Sequence, residues 1–213
     1  MTPADTAFII GNGQQARVIA SLLGHSNIRF LVERDPGPHE ILQSAAFAAA
    51  PVAGAEYFIG IGHTATRRRY FDRLASWGAA PGSCIAANAW IALDAELGRG
   101  LFIGPGAVIM SGARLADNVI VNTCSSVDHD CVIGVDSQIT AGVTIASSIA
   151  IGRGCYFGVK SGVVPGVTIG DHVMVMAGAM VVGDIPDRTK VGGVPARPRA
   201  FNERDRAYVE MAR

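Results

Sequence analysis

From Ile85 to Val181 every sixth residue is large and apolar, seventeen positions in one phase without an insertion. Four residues after most of them comes a second, usually smaller, inward candidate, as at Ala89, Ala107, Ser125, Cys131 and Ala179. A six-residue period fits neither the 3.6 repeat of a helix nor the two-residue repeat of a lone strand. It fits a solenoid in which each short flat segment buries one residue before the chain turns. Three segments close a coil, so residues eighteen apart stack on one another. At ~4.8 Å per coil the ladder predicts a prism roughly 27 Å tall. The interior is then filled by aliphatic columns, and any chemistry belongs to outward positions.

Bulk composition excludes several roles. Eighteen basic and eighteen acidic side chains cancel, so no global field draws the chain to nucleic acid or to an anionic membrane. No stretch approaches the ~20 apolar residues of a membrane span, and the start of the chain lacks the pattern of a signal peptide. Cys84, Cys124, Cys131 and Cys155 have no metal-ligand spacing. They read as reduced packing residues of a cytoplasmic protein.

Ahead of the ladder the grammar differs. Residues 7–10 form a buried strand, followed by Gly11-Asn12-Gly13 and a helix over 14–23. Further strands are predicted over 28–32 and 57–62, a short helix within 40–50, and a basic amphipathic helix over 64–77 with Thr64 as its N-cap. This order predicts a small parallel sheet covered by helices. Residues 78–82 form the linker, which divides the chain into domains 1–80 and 81–213. After Asp184 the repeat decays, a terminal helix over 202–211 follows, and this tail is expected to cap the open end of the prism.

Three sites could carry chemistry. His129 takes an outward position between stacking neighbours Ser111 and Ser147 and is flanked by Asp128 and Asp130. Small neighbours leave the imidazole room, and a carboxylate beside it can fix its tautomer and support its cation. His172 lies on another face and reads as an exposed or intersubunit residue. Two repeat histidines are too few for a three-histidine zinc site, so no metal is expected. Residues 11–16 match G-x-G-x-x-A between strand and helix, where free N–H groups can hold a phosphate. Glu33, at the end of the second strand, could meet a ribose hydroxyl. The unit lacks a second mononucleotide half, which favours one nucleoside diphosphate over a dinucleotide. Arg67, Arg68 and Arg69 are candidates for its pyrophosphate.

Residues 6–199 resemble the bacterial sugar O- and N-acyltransferases of the PglD/NeuD type. The resemblance is carried by Ile9-Ile10-Gly11-x-Gly13-x-x-Ala16 and by Phe58-Ile59-Gly60-Ile61-Gly62 with Arg67. It continues in Asn122-Thr123-x-Ser125-Ser126-Val127-Asp128-His129-Asp130 and Gly192-Gly193-Val194-Pro195-Ala196-Arg197. It implies a Rossmann-like unit followed by a left-handed parallel β-helix of hexapeptide repeats, assembled as a homotrimer with active sites between subunits. It also implies His129 as the catalytic base and Asp130 as its acidic neighbour. The nucleotide-linked sugar is expected against Gly11, Asn12, Gly13, Glu33, Asp35 and Arg67. Acetyl-CoA, the co-substrate, is expected against Asn122, Gln138, Ser147, Lys190 and Arg197, with Arg199 a further candidate for the coenzyme phosphates. Two positions depart from the pattern. Gln14-Gln15 stands where Gly-His is common, and Gln138 stands where a second histidine often follows the first by nine residues.

The resulting expectation is acetyl-CoA-dependent N-acetylation of a nucleotide-linked sugar amine, with a UDP-linked 4-amino-4,6-dideoxy sugar as acceptor. His129 takes the proton, and a backbone N–H with Gln138 holds the oxyanion. O-acetylation of a sialic-acid-type hydroxyl is the nearest alternative, separable by turnover on matched amino and hydroxyl substrates. A non-catalytic solenoid scaffold would bind no acetyl-CoA, and a nicotinamide-dependent enzyme would bind NAD.

Overall fold

A computed structural model describes residues 6–24, 27–34 and 39–209. Asp35 and the predicted last turn of the terminal helix, residues 210–211, lie outside the described residues. The ladder forms as its period dictates. Each hexad supplies one two-residue strand, from β5 (Cys84–Ile85) to β21 (Met180–Val181), and the ladder residue is the second of each pair. Neighbouring coils pair in parallel at a spacing of eighteen, as in Arg114↔Val132↔Ala150↔Thr168. The strands sort into three sheets of eight, six and five, the walls of a left-handed parallel β-helix.

A second six-residue rhythm marks the corners. Every sixth residue from Gly100 to Gly178 has positive φ, between 54° and 74°. Glycine fills half of these corners; Asn118, Cys124, Asp130, Asp136, Ser148, Lys160 and His172 occupy the rest. Only glycine, asparagine and aspartate tolerate this left-handed geometry readily, so several corners carry strain inside an otherwise regular wall.

The α/β unit is a four-stranded parallel sheet ordered β3-β2-β1-β4, from β1 (Thr6–Ile10), β2 (Asn27–Val32), β3 (Glu40–Leu42) and β4 (Glu56–Ile59). The helix expected within 40–50 divides in two. Residues 40–42 extend the sheet beside β2, and only α2 (Gln43–Ala48) is helical. Gly60 marks the close contact between the end of β4 and α1 (Gln14–Leu22). A Cβ there would lie 2.5 Å from Cβ of Ala16. Gly11, at φ 92°, makes the tight turn between β1 and α1. The next helix, α3 (Thr64–Trp77), is capped by His63, whose side chain accepts from the Thr66 amide, and not by Thr64, which is buried.

The unit packs on the eight-stranded face. Phe102 and Ile120 project from that wall, with Cys84, into a cluster with Ile9, Ile19 and Phe58. Arg67 locks the same interface. It is fully buried and donates to the carbonyls of Gly62, Asn118 and Asp136 and to Oε1 of Gln138. Burial pulls its pKa down to about 10, opposed by Asp136, so it is still a cation at neutral pH.

Beyond the ladder, β22 (Lys190–Gly192) and β23 (Arg197–Arg199) form an antiparallel pair on the last edge of the eight-stranded sheet. The terminal helix α4 (Glu203–Val209) is held to β22 by the Lys190–Asp205 pair. It lies along the same face, beside α3. No helix among the described residues is long and apolar enough to cross a membrane.

Candidate active site

The candidate residues gather in two places. The first is a cleft of about 720 Å³ between the α/β unit and the eight-stranded face. Gly11, Asn12, Gly13 and Glu33 line it as the loop pattern predicts, together with Gln14, Gln15 and Gln138. Three features suit an anionic ligand. The first turn of α1 presents its free N–H groups. Gln15 Nε2 is buried with no hydrogen-bond partner among the described residues. The Nδ1 of His63 accepts the Thr66 amide at 3.3 Å, so the neutral ring carries its proton on Nε2, as a donor. Burial, then the Arg67 charge, lowers the His63 pKa and keeps that neutral form. At the other side of the cleft the Tyr70 hydroxyl lies 2.7 Å from Glu33 Oε1 and 2.6 Å from Gln43 Oε1.

The second place is a corner of the prism. His129 lies in the turn between β12 (Ser126–Val127) and β13 (Val132–Ile133), where the six- and five-stranded sheets meet. Its Nδ1 is 2.8 Å from Asp130 Oδ2, and its backbone N–H donates to Asp128 Oδ1 at 2.7 Å. The Asp130 hydrogen bond is the main force raising the His129 pKa; the nearby negative charge of Asp128 also raises it. Asp130 has φ 59°, and its carboxylate lies over Gly112, one coil below. A Cβ on Gly112 would approach Asp130 Oδ1 to 2.7 Å. Ser147 stacks one coil above His129, as the eighteen-residue spacing requires, and its neighbour Ser148 donates its N–H to the His129 carbonyl.

The two places face away from each other. Gln138 begins β14 (Gln138–Ile139) in the eight-stranded sheet, and His129 lies at the corner where the other two sheets meet. In a three-walled prism that corner is opposite the wall. Six residues per side at ~3.3 Å separate them by well over 10 Å. One chain therefore does not bring Gln138 to its own His129. Arg67, expected at a pyrophosphate, is spent beneath the cleft on the interface between sheet and prism. Arg68 pairs with Asp72, and Arg69 with Glu33.

The basic tail also differs from expectation. Lys190 is buried and paired with Asp205 of α4, so its ammonium is committed to the helix and not offered to a coenzyme phosphate. His172, expected to be exposed, is covered by α4 and donates from Nδ1 to the Val209 carbonyl at 2.8 Å. Arg197 and Arg199 are exposed on β23. Asn122 sits at another corner, its Oδ1 accepting the Thr123 amide. Among the described residues no three histidine, cysteine or acidic side chains converge as a metal site. Cys84, Cys131 and Cys155 are buried, and burial pushes their thiols up, Cys84 to about 11 and Cys155 to about 12. Cys124 alone among the cysteines is exposed.

Sequence reasoning missed His63, Tyr70, Tyr156 and Tyr208 as cleft residues. A readable signal existed for Tyr156. Counting by eighteen from Cys84 gives Phe102, Ile120, Gln138 and Tyr156, an outward column too apolar and bulky for a solvated wall.

Known proteins share this fold. Residues 148–182 match the family model for the hexapeptide repeat of succinyl-transferase. The fold matches the acetyltransferase domain of PglB from Neisseria gonorrhoeae, solved in complex with acetyl coenzyme A. That match has 29% identity and a TM-score of 0.85, over 92% of this chain and 99% of the other. It also matches PerB from Caulobacter crescentus, solved with CoA and GDP-perosamine, at 29% identity and a TM-score of 0.84, over 92% of this chain and 97% of the other. WeeI from Acinetobacter baumannii, at 22% identity and a TM-score of 0.84 over 91% of this chain and 99% of the other, shares the fold.

Proposed function

We propose that this chain, a hexapeptide-repeat acetyltransferase, transfers the acetyl group of acetyl-CoA to the amine of a nucleotide-linked sugar, with His129 as general base. The observation that carries the assignment of His129 is its pairing with Asp130. With Nδ1–H donating to the carboxylate, Nε2 keeps its lone pair and faces outward. His129 Nε2 takes the proton released as the amine nitrogen bonds to the acetyl carbon and the carbon–sulfur bond breaks; coenzyme A leaves as its thiolate and receives that proton back from the imidazolium, which gives the thiol and restores the neutral base. Asp130 supports the imidazolium formed at that moment. Residues 1–80 act as the acceptor-binding domain and residues 81–213 as the acetyltransferase domain. The PerB complex supports an amino sugar carried by a nucleoside diphosphate; the UDP-linked form remains part of the proposal.

A homotrimer in the cytoplasm, where acetyl-CoA is made, completes this reading. Its support is the opposition of cleft and base. An acceptor held by Gly11, Asn12 and Gly13 of one chain lies on the far side of the prism from that chain's His129, so the base must come from a neighbouring copy. The test is thiol release from acetyl-CoA with a panel of UDP-, GDP- and dTDP-linked amino sugars, beside the matched hydroxyl sugars. His129→Ala should lower turnover by ~10²–10⁴-fold and leave the fold intact, because the side chain is exposed. Turnover on none of the panel, or an undiminished His129→Ala rate, overturns the reading.

A further inference from the structure

The cleft has two ends with different chemistry. Its middle is the N-terminus of α1, which suits the diphosphate. One end is closed by Glu33, Gln43 and Tyr70, at and beside the end of β2, where an acidic side chain meets a ribose. The other end is bounded by the prism wall and is aromatic. Tyr208 of α4 packs against Tyr156 with ring centroids 4.9 Å apart, and against His63 at 6.0 Å. All three line the cleft. With the nucleoside over β2 and the diphosphate at α1, the remaining part of the ligand, the sugar, extends to this aromatic end.

The helix that brings Tyr208 there is fastened at both ends. Asn202 Oδ1 accepts the Asp205 amide, and Asp205 Oδ2 accepts the Asn202 amide, a reciprocal cap on the first turn. The same carboxylate pairs with Lys190, and His172 holds the Val209 carbonyl. The corner histidine and the buried lysine thus explain why a short terminal helix holds one position.

We infer that Tyr208, paired with Tyr156, is the specificity-determining wall for the sugar of the nucleotide-linked acceptor, packing on the apolar C–H face of its ring. Aromatic faces suit a deoxy sugar, whose ring has one face poor in hydroxyls. The inference rests on the reading of the cleft as the acceptor site.

Calorimetric titration of the full chain with GDP- and UDP-linked 4-amino-4,6-dideoxyhexoses, and with GDP and UDP alone, tests it. Tyr208→Ala should weaken the nucleotide sugar that the wild type binds by about three- to tenfold. The matching nucleoside diphosphate and CoA should be bound as before. Tyr208→Phe keeps the ring and should bind like the wild type. Tyr208→Leu keeps apolar volume without an aromatic face and should lose most of the same factor. Unchanged sugar affinity in the Ala and Leu variants overturns the inference, as does equal weakening of sugar-bearing and sugar-free ligands. Failure of the wild type to bind any of the four nucleotides overturns the acceptor-site reading itself, and the inference with it.

Discussion

His129 Nδ1 lies 2.8 Å from Asp130 Oδ2, and both residues sit in one exposed corner turn, so the base carries its own orienting carboxylate from the adjacent position. The pair raises the His129 pKa above its ordinary value. A general base works when neutral, so activity is lost as pH falls through that raised value. Asp130→Asn removes the largest cause of the shift. The acidic limb of the pH–rate profile should move to lower pH, while the plateau rate falls by about 10-fold or more as the imidazolium loses its partner. A profile measured from pH 5 to 9 checks both. A limb that stays in place would detach Asp130 from the base.

Gly112 makes that pair possible from one coil below. Its missing side chain leaves space for the Asp130 carboxylate, and its φ of 69° disfavours alanine and other residues that lack the local hydrogen bonding of asparagine or aspartate. Gly112→Ala should cost about 1–2 kcal/mol of stability from the left-handed backbone alone. It should also push Asp130 off His129, lowering turnover and moving the acidic limb in the same direction as Asp130→Asn. In the double variant the effects on turnover should not add, because both act through one contact. Additive losses would mean that Gly112 acts elsewhere.

The corner and the cleft differed in how readable they were. The ladder gave the position of every two-residue strand, and its eighteen-residue stacking correctly put Ser147 above His129 and left the histidine outward. The strand–loop–helix pattern likewise put Gly11 to Gly13 at the cleft. Arg67 and Lys190 were misassigned for one physical reason. A basic side chain in a motif reads as an anion site, whereas burial against Asp136 or Asp205 is a long-range outcome that spacing along the chain does not encode. His172 went the same way, since only the docking of α4 buries it. The division of 40–50 into β3 and α2 failed because an edge strand of three residues is too short to show alternation.

The opposition of Gln138 and His129 across the prism predicts complementation. His129→Ala has an intact cleft, and a chain with Gly13→Glu has an intact base but a carboxylate where a diphosphate would sit. Each homomer should be nearly inactive. Refolded or co-expressed together in equal amounts, they should regain activity, because a wild-type cleft then meets a wild-type histidine in about a quarter of the sites. Assay of the purified mixed oligomer reads this directly. A mixture no more active than its parts would mean that each chain uses its own histidine.

Equal positions in the ladder should not have equal energetic weight. Ile145 is fully buried in the middle coils, while Ile85 opens the first coil and is 42% exposed. Each contributes the same side chain to the six-residue ladder, Ile85 on the eight-stranded wall and Ile145 on the six-stranded one, so their difference reads the effect of having a coil on both sides. Ile145→Ala removes a close-packed side chain between two coils and should cost about 2–5 kcal/mol. Ile85→Ala removes apolar surface that water already reaches and that only one coil covers, so its cost should stay near 1 kcal/mol. Urea unfolding of both variants, with the midpoint and slope compared to the wild type, separates them. Because stability in a stacked repeat is carried by nearest-neighbour interfaces, similar losses at the two sites would show instead that something covers the first coil, and an exposed Trp90 beside it would be the place to look for that cover.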